Sequence, residues 1–157
     1  MNIVELKVRQ NITTDEKLTK LYTQFGALLI ELRKKELTES IIKYINQTVE
    51  EMNASTLTGK ELNKLAKQKQ TVLLKQIEKE LKIVSKNHYQ TLWMLFGFTG
   101  FGIPIGVAFG FAMDNMGLLG IGLPIGMGIG VVVGMLLDKK ALQEGRQLDI
   151  IIKNLSF

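Results

Sequence analysis

Residues 91–137 read TLWMLFGFTGFGIPIGVAFGFAMDNMGLLGIGLPIGMGIGVVVGMLL, and Asp114 is the only charged side chain among them. A helix rises about 1.5 Å per residue, so roughly 20 apolar residues cross a hydrocarbon core about 30 Å thick. Residues 91–113 suffice for one crossing and residues 117–137 for a second. Asp114, Asn115 and Met116 lie between them, and Asp and Asn favour a turn. The run is too long for one span and suits a tight hairpin of two membrane-spanning helices. Soluble helices rarely run this far without a charged face.

The stretch also echoes itself after twenty residues. Gly100, Gly102, Pro104, Ile105, Gly106 and Gly110 recur as Gly120, Gly122, Pro124, Ile125, Gly126 and Gly130. In a hairpin folded about Asp114, residues equidistant from the turn share a depth. That pairs Pro104 with Pro124, Gly102 with Gly126, Gly106 with Gly122 and Gly100 with Gly128. Ten residues from the turn is about 15 Å, so the prolines fall near mid-membrane.

Glycines four apart make a smooth stripe along a helix. Gly102, Gly106 and Gly110 make one on the first span; Gly122, Gly126, Gly130 and Gly134 make a longer one on the second. Lipid gives helices no hydrophobic drive to associate, so close backbone contact has to hold them. Glycine costs about 1 kcal/mol relative to alanine inside a water-exposed helix. Twelve glycines in 47 residues therefore need a packing reason. Gly100, Gly120 and Gly128 fall off both stripes, and this second small face predicts a homo-oligomer. Pro104 and Pro124 each remove a donor and free the carbonyl four residues back, at Gly100 and Gly120. They read as paired kinks, with a hinge or a carbonyl-lined pore as the alternative. Apart from Thr91 at its very start, Thr99 is the only hydroxyl inside either span, whereas ion relays carry ionisable groups.

These stacked G-x-x-x-G repeats resemble the glycine-zipper two-transmembrane-helix membrane families. The likeness covers about a quarter of the chain. It implies tight helix packing and frequent oligomers, and it implies no fixed activity. Hairpin subunits of rotary ATPase rings are similar in glycine content but need a mid-span carboxylate, which this chain lacks. MNIVELKVRQ reads as charged and alternating rather than as a signal peptide, and no lipobox cysteine is present.

All 20 Lys and Arg lie outside the apolar stretch, sixteen before it and four after it. Positive flanks stay in the cytoplasm, which predicts a cell (inner) membrane protein with both termini cytoplasmic and the Asp114 turn outside. Lys82, Lys86, Lys139 and Lys140 would anchor the spans at the inner interface. His88, Tyr89 and Trp93 fall at the same level, where amphipathic rings settle.

Residues 1–57 form an N-terminal cytoplasmic helical region. Residues 3–9 alternate weakly, as in a strand. Thr13 or Thr14 then caps a first helix with Leu18, Leu21, Tyr22, Phe25, Leu28, Leu29 and Leu32 on one face. Thr38 opens a second, with Ile41, Ile42, Ile45, Val49 and Met52. Residues 58–90 read as an amphipathic basic helix capped by Thr58 and Glu61, with no Pro or Gly between Lys60 and Phe96. The expected fold is therefore all-α: a cytoplasmic three-helix domain whose last long helix continues into the transmembrane hairpin at residues 91–137. Residues 138–157 form a cytoplasmic tail, whose apolar end either pairs with residues 2–9 or docks on the helical domain.

No catalytic constellation emerges. Cysteine is absent and His88 stands alone, so neither a Cys–His pair nor a histidine metal cluster exists. The G-x-G fragments lack the strand–turn–helix setting of a nucleotide site. The expectation is a non-enzymatic membrane protein without cofactor or metal. It self-associates through glycine-packed hairpins and presents its helical domain to a cytoplasmic protein partner. A homo-oligomeric channel or permeabilising effector is the alternative. The partners are the lipid bilayer and further copies of the chain; nucleic acid is disfavoured, because the lysines of residues 60–90 come without an aromatic platform.

Overall fold

A computed structural model of the chain describes residues 2–7, 15–115, 117 and 119–152. They fall into two compact units, Met1–Val84 with Leu148–Phe157, and Ser85–Gln147.

The first unit is built from α1 (Glu16–Arg33), α2 (Glu39–Ala54) and α3 (Gly59–Leu81). Asp15 caps α1, its Oδ1 accepting from the backbone N–H of Lys17 at 3.0 Å and of Leu18 at 3.2 Å. Asp15 is the helix's N-cap residue; Thr13 and Thr14 lie outside the described residues. Thr38 and Thr58 stand at the N-cap positions of α2 and α3, and neither side chain makes a capping bond. Helical spacing carries the core. All seven apolar residues expected on α1 are buried, as are Ile41, Ile45, Val49 and Met52 of α2 and Leu62, Ala66, Leu73 and Ile77 of α3. Each fully buried Leu, Ile or Phe contributes about 1.5–3 kcal/mol. Gln70 is buried among them, its Oε1 accepting from Gln24 Nε2 at 3.2 Å. Glu51 of α2 pairs with Lys69 of α3, and this bond holds the Glu51 carboxyl below the ordinary glutamate range.

The long helix expected to run from residue 58 into the apolar stretch does not form. α3 stops at Leu81, and Lys82 takes a left-handed conformation (φ 56°), its N–H donating to Glu78 O at 3.0 Å. Ile83, Val84 and Ser85 are then all buried. A continuing helix would splay three consecutive residues by 100° each and could not bury all of them. Val84–Ser85 forms β1, which pairs with β2 (Gln147–Leu148) in the chain's two-residue ladder. Asn87 is left-handed too (φ 60°), and a new helix starts at His88. Among the described residues the C-terminal segment thus pairs with β1 and not with residues 2–7, residues 8 and 9 lying outside them, while Leu148 and Ile152 join the helical core. Residues 2–7 carry no strand.

The second unit holds two apolar helices of 25 residues each, His88–Ala112 and Leu119–Gln143, long and apolar enough to cross a membrane. The first comprises α4 (His88–Phe96), a π-helical turn at Gly97–Gly102 and α5 (Ile103–Ala112); the second is α6 (Leu119–Gln143). α6 closes on Gly145 (φ 70°), with Gly145 N–H bonded to Leu142 O and Arg146 N–H to Ala141 O. That pair of bonds is the helix stop that glycine favours.

The break at Lys82 makes a sign test. A left-handed position tolerates glycine and resists a β-branched residue by about 1–2 kcal/mol, whereas a helix interior slightly prefers valine to glycine. Lys82→Gly is therefore expected to be more stable than Lys82→Val in denaturant melts. The reverse order would restore the continuous helix.

Candidate functional site

The contact between the two apolar helices is made almost wholly of backbone. The buried residues of α6 are Gly122, Gly126, Gly130, Gly134, Asp138 and Ala141, and those of α5 are Gly106 and Gly110. A Cβ added at Gly122 would collide with the backbone of Gly106 and Gly102. One at Gly126 would meet Gly102 and Gly97, one at Gly130 would meet Trp93 and Gly97, and one at Gly134 would meet Gln90 and Tyr89. These approaches fall at or below about 3 Å, closer than real Cβ atoms come to such neighbours. Reading along α6, the opposing residue number falls as the α6 number rises, so the helices run in opposite directions.

Gly102 therefore meets Gly126 and Gly106 meets Gly122, as mirror positions about the Asp114 turn. The other mirror pairs do not meet. Added Cβ atoms at Gly100, Gly120 and Gly128 would find nothing within 4 Å, and Pro104 and Pro124 are both exposed.

Gly97 belongs to this face too. It lies five residues before Gly102, not four, and a regular helix would turn it aside. The π-helical turn Gly97–Gly102 absorbs the extra residue, so both glycines face α6. Pro104 follows directly, at the first turn of α5. Its missing donor and its ring conflict with a regular turn, and the widened turn takes up that conflict. Pro124 sits instead inside the unbroken α6. The two prolines are thus not equivalent kinks.

The turn itself begins with Asp114 in a left-handed conformation (φ 48°). Asp114 N–H donates to Phe111 O at 3.3 Å and Asn115 N–H to Gly110 O at 3.0 Å, which stops the first helix. The Asn115 side-chain oxygen then accepts from Gly117 N–H at 2.9 Å.

At the other end Asp138 is buried and caps α4 from α6. Its carboxylate oxygens accept from Tyr89 N–H at 3.1 Å and Gln90 N–H at 2.9 Å. Asn87 at the N-cap position makes no capping bond of its own, so the partner helix supplies it. Asp138 thus lies in the helix contact, not in an exposed tail. Beyond it, Arg146 is bonded to Glu144 and reaches Tyr89, and these bonds hold its guanidinium above the ordinary arginine range.

Of the positions expected at an interface, Lys139 and Lys140 are exposed near the end of α6, with Lys140 Nζ 4.0 Å from Glu144. Lys86 is exposed ahead of α4, and Lys82 ends α3. Trp93 lies in α4, its ring edge-on to Phe96 with centroids 6.4 Å apart.

Bulky side chains point outward. Leu95, Phe96, Phe101, Ile103, Phe109 and Phe111 are exposed on the first helix, and Ile121, Ile125, Ile129, Val132, Met135 and Leu136 on the second. Less than a quarter of the most apolar window of either helix is buried within the structure. Thr99 Oγ1 bonds to Leu95 O at 3.0 Å, so the mid-helix hydroxyl is satisfied within its own helix.

Comparison with known protein families, with curated proteins and with solved structures found no match.

The arrangement separates two classes of glycine. Gly126→Ala should cost about 1–3 kcal/mol or more, because the methyl group meets backbone that cannot rotate away. Gly128→Ala should leave the helix pair unharmed. Thermal melts of the two variants in detergent check this, and equal stabilities would refute the backbone contact.

Proposed function

We propose that Ser85–Gln147 is a transmembrane hairpin of the glycine-zipper kind. It anchors the helical unit of residues 1–84 in a cell membrane and assembles the chain into a homo-oligomer without enzymatic activity. One observation carries this reading: the second unit is small inside and large outside. Burying glycines while exposing phenylalanine, leucine and isoleucine is the reverse of what water selects, and it suits a hydrocarbon solvent. A contiguous apolar surface of this extent needs lipid or protein against it.

Self-association is supported by the small residues that the helix pair leaves unused. Gly100, Pro104, Ala108 and Ala112 recur every four residues on the first helix and are exposed. Gly120, Pro124 and Gly128 do so on the second. Each line sits two residues, or about 200°, from the line that packs inside the pair, on the far side of its helix. The pair therefore carries one smooth edge on each flank. Packing the edge of one copy against the opposite edge of the next generates a ring or a row. The carbonyl of Gly120, denied its regular bond by Pro124 inside α6, lies on one of these edges, where a neighbouring copy would shield it from lipid.

The lysine-rich flanks favour an inner-membrane orientation with both termini cytoplasmic, which leaves the helical unit free to dock a cytoplasmic protein. A conducting pore is the competing reading. The single mid-span hydroxyl, at Thr99, already has its bond, and this favours an anchor and assembly role over conduction.

Gly120→Leu with Gly128→Leu tests the proposal. Particle mass in detergent should drop toward that of one chain while helix content holds. Unchanged mass would remove the outer edges from the account, and ion flux through liposomes carrying the parent protein would move the function to the channel.

A further inference from the structure

We propose that α1 and α2 form a groove that reads the main chain of an extended peptide, that residues 2–7 fill it within each chain, and that the same segment of a second copy can fill it instead.

The segment is held as a ligand is held. Asn46 of α2 accepts from Val4 N–H at 2.8 Å and donates to Asn2 O at 3.0 Å. Asn53, on the same helix, accepts from Lys7 N–H at 2.9 Å and donates to Glu5 O at 3.0 Å. Each amide thus spans one residue, Ile3 or Leu6, and bonds to the main chain on both sides of it, as a neighbouring strand would. Arg33 of α1 adds a bond to Ile3 O at 3.0 Å.

The spacing is matched. Seven residues of helix separate Asn46 from Asn53, about 10.5 Å. Three residues of extended chain separate Ile3 from Leu6, about 10 Å. Two amides one heptad apart on a helix therefore read a peptide at every third residue. Main-chain bonds of this sort supply affinity, and the pockets between them supply specificity. Ile3 is buried in the main core, and Leu6 packs against both apolar clusters of the unit. Glu5 lies 3.6 Å from Arg33. The groove's preference reads as two apolar residues, an acid, and a further apolar residue, since Val4 also packs against the core.

The segment does not seal its groove. A cavity of about 600 Å³ opens beside Asn2, Ile3 and Glu5, against Leu32, Arg33 and Leu37. Another of about 380 Å³ opens beside Leu6, against Tyr22, Gly26 and Ile30. Space on both flanks, with Ile3 the one buried side chain among residues 2–7 and Val4 and Leu6 only partly covered, makes exchange inexpensive compared with opening the core. The structure demonstrates the fit for one sequence, and every copy of the chain carries that sequence. A second copy is therefore the occupant the groove suits. This holds with or without a membrane and does not rest on the reading of the apolar helices.

The test uses the chain lacking residues 1–7, in detergent, with a fluorescein-labelled peptide of residues 2–7 standing in for the segment of a second copy. Saturable binding by anisotropy is expected, weakened tenfold or more by Asn46→Ala or Asn53→Ala in the acceptor and lost when the peptide carries Ile3→Glu. Absence of binding by an acceptor of parental helix content, or binding indifferent to both asparagines, would overturn the proposal. Should the truncated chain not fold, intact chains answer the question. The parent has no cysteine, so a Glu5→Cys population can be mixed with an Arg33→Cys population and treated with a short bismaleimide, whose spacer replaces the reach lost with the two long side chains. A mixed cross-linked dimer, exceeding what either population forms alone, is expected; its absence would contradict exchange between copies.

Discussion

Where Gly126 lies against Gly102 and Gly97, two helices touch through their main chains, and this contact dictates the rest of the second unit. Glycine on both sides removes the side chains that would fill a water-soluble core. The bulky residues are displaced to the outside, where they leave two helices long and apolar enough to cross a membrane. Glycine's helix cost, about 1 kcal/mol per residue in water, is offset only where close approach recovers it in dispersion between backbones. Both ends of the pair are then fixed by polar groups. The turn at Asp114 and Asn115 satisfies the final carbonyls of the first helix, and Asp138 satisfies the first amides of that helix from the other.

The first unit is built on the opposite chemistry. Leucine and isoleucine fill the space between α1, α2 and α3, and polar side chains sew the connecting segments to them. Asn46 and Asn53 serve as a borrowed strand for residues 2–7, and Glu31 accepts a backbone bond from Asp149. One chain thus carries one body with a side-chain core and one with a backbone core.

Much of this was legible in the sequence, because periodicity is read from side chains. Leu18 through Leu32 lie where a period of 3.6 puts them, and the glycines four apart on α6 mark its contact face without further information. What escaped had no local signature. The helix end at Lys82 and the left-handed Asn87 use neither Gly nor Pro; burial of Ile83, Val84 and Ser85 outweighs the propensity of the lysine-rich run to continue. Gly97 breaks the spacing by one residue, and only a π turn restores it to the face; the Pro104 that follows is the one local mark of that turn. Asp138 and the two asparagines act across 42 to 49 residues of sequence, a range at which pattern says nothing. The twenty-residue echo also overstated symmetry: it placed Pro104 and Pro124 as equivalents, whereas one follows a widened turn and the other lies within an unbroken helix.

The central claim is that the outer surface of the glycine-packed pair meets hydrocarbon. The single tryptophan, Trp93, sits in the first of the two helices with its backbone against Gly130, and it reports this without a label. Its fluorescence should be quenched strongly when the protein is reconstituted in lipids with brominated acyl chains, and hardly at all by aqueous iodide. Strong iodide quenching with no response to brominated lipid would contradict the account.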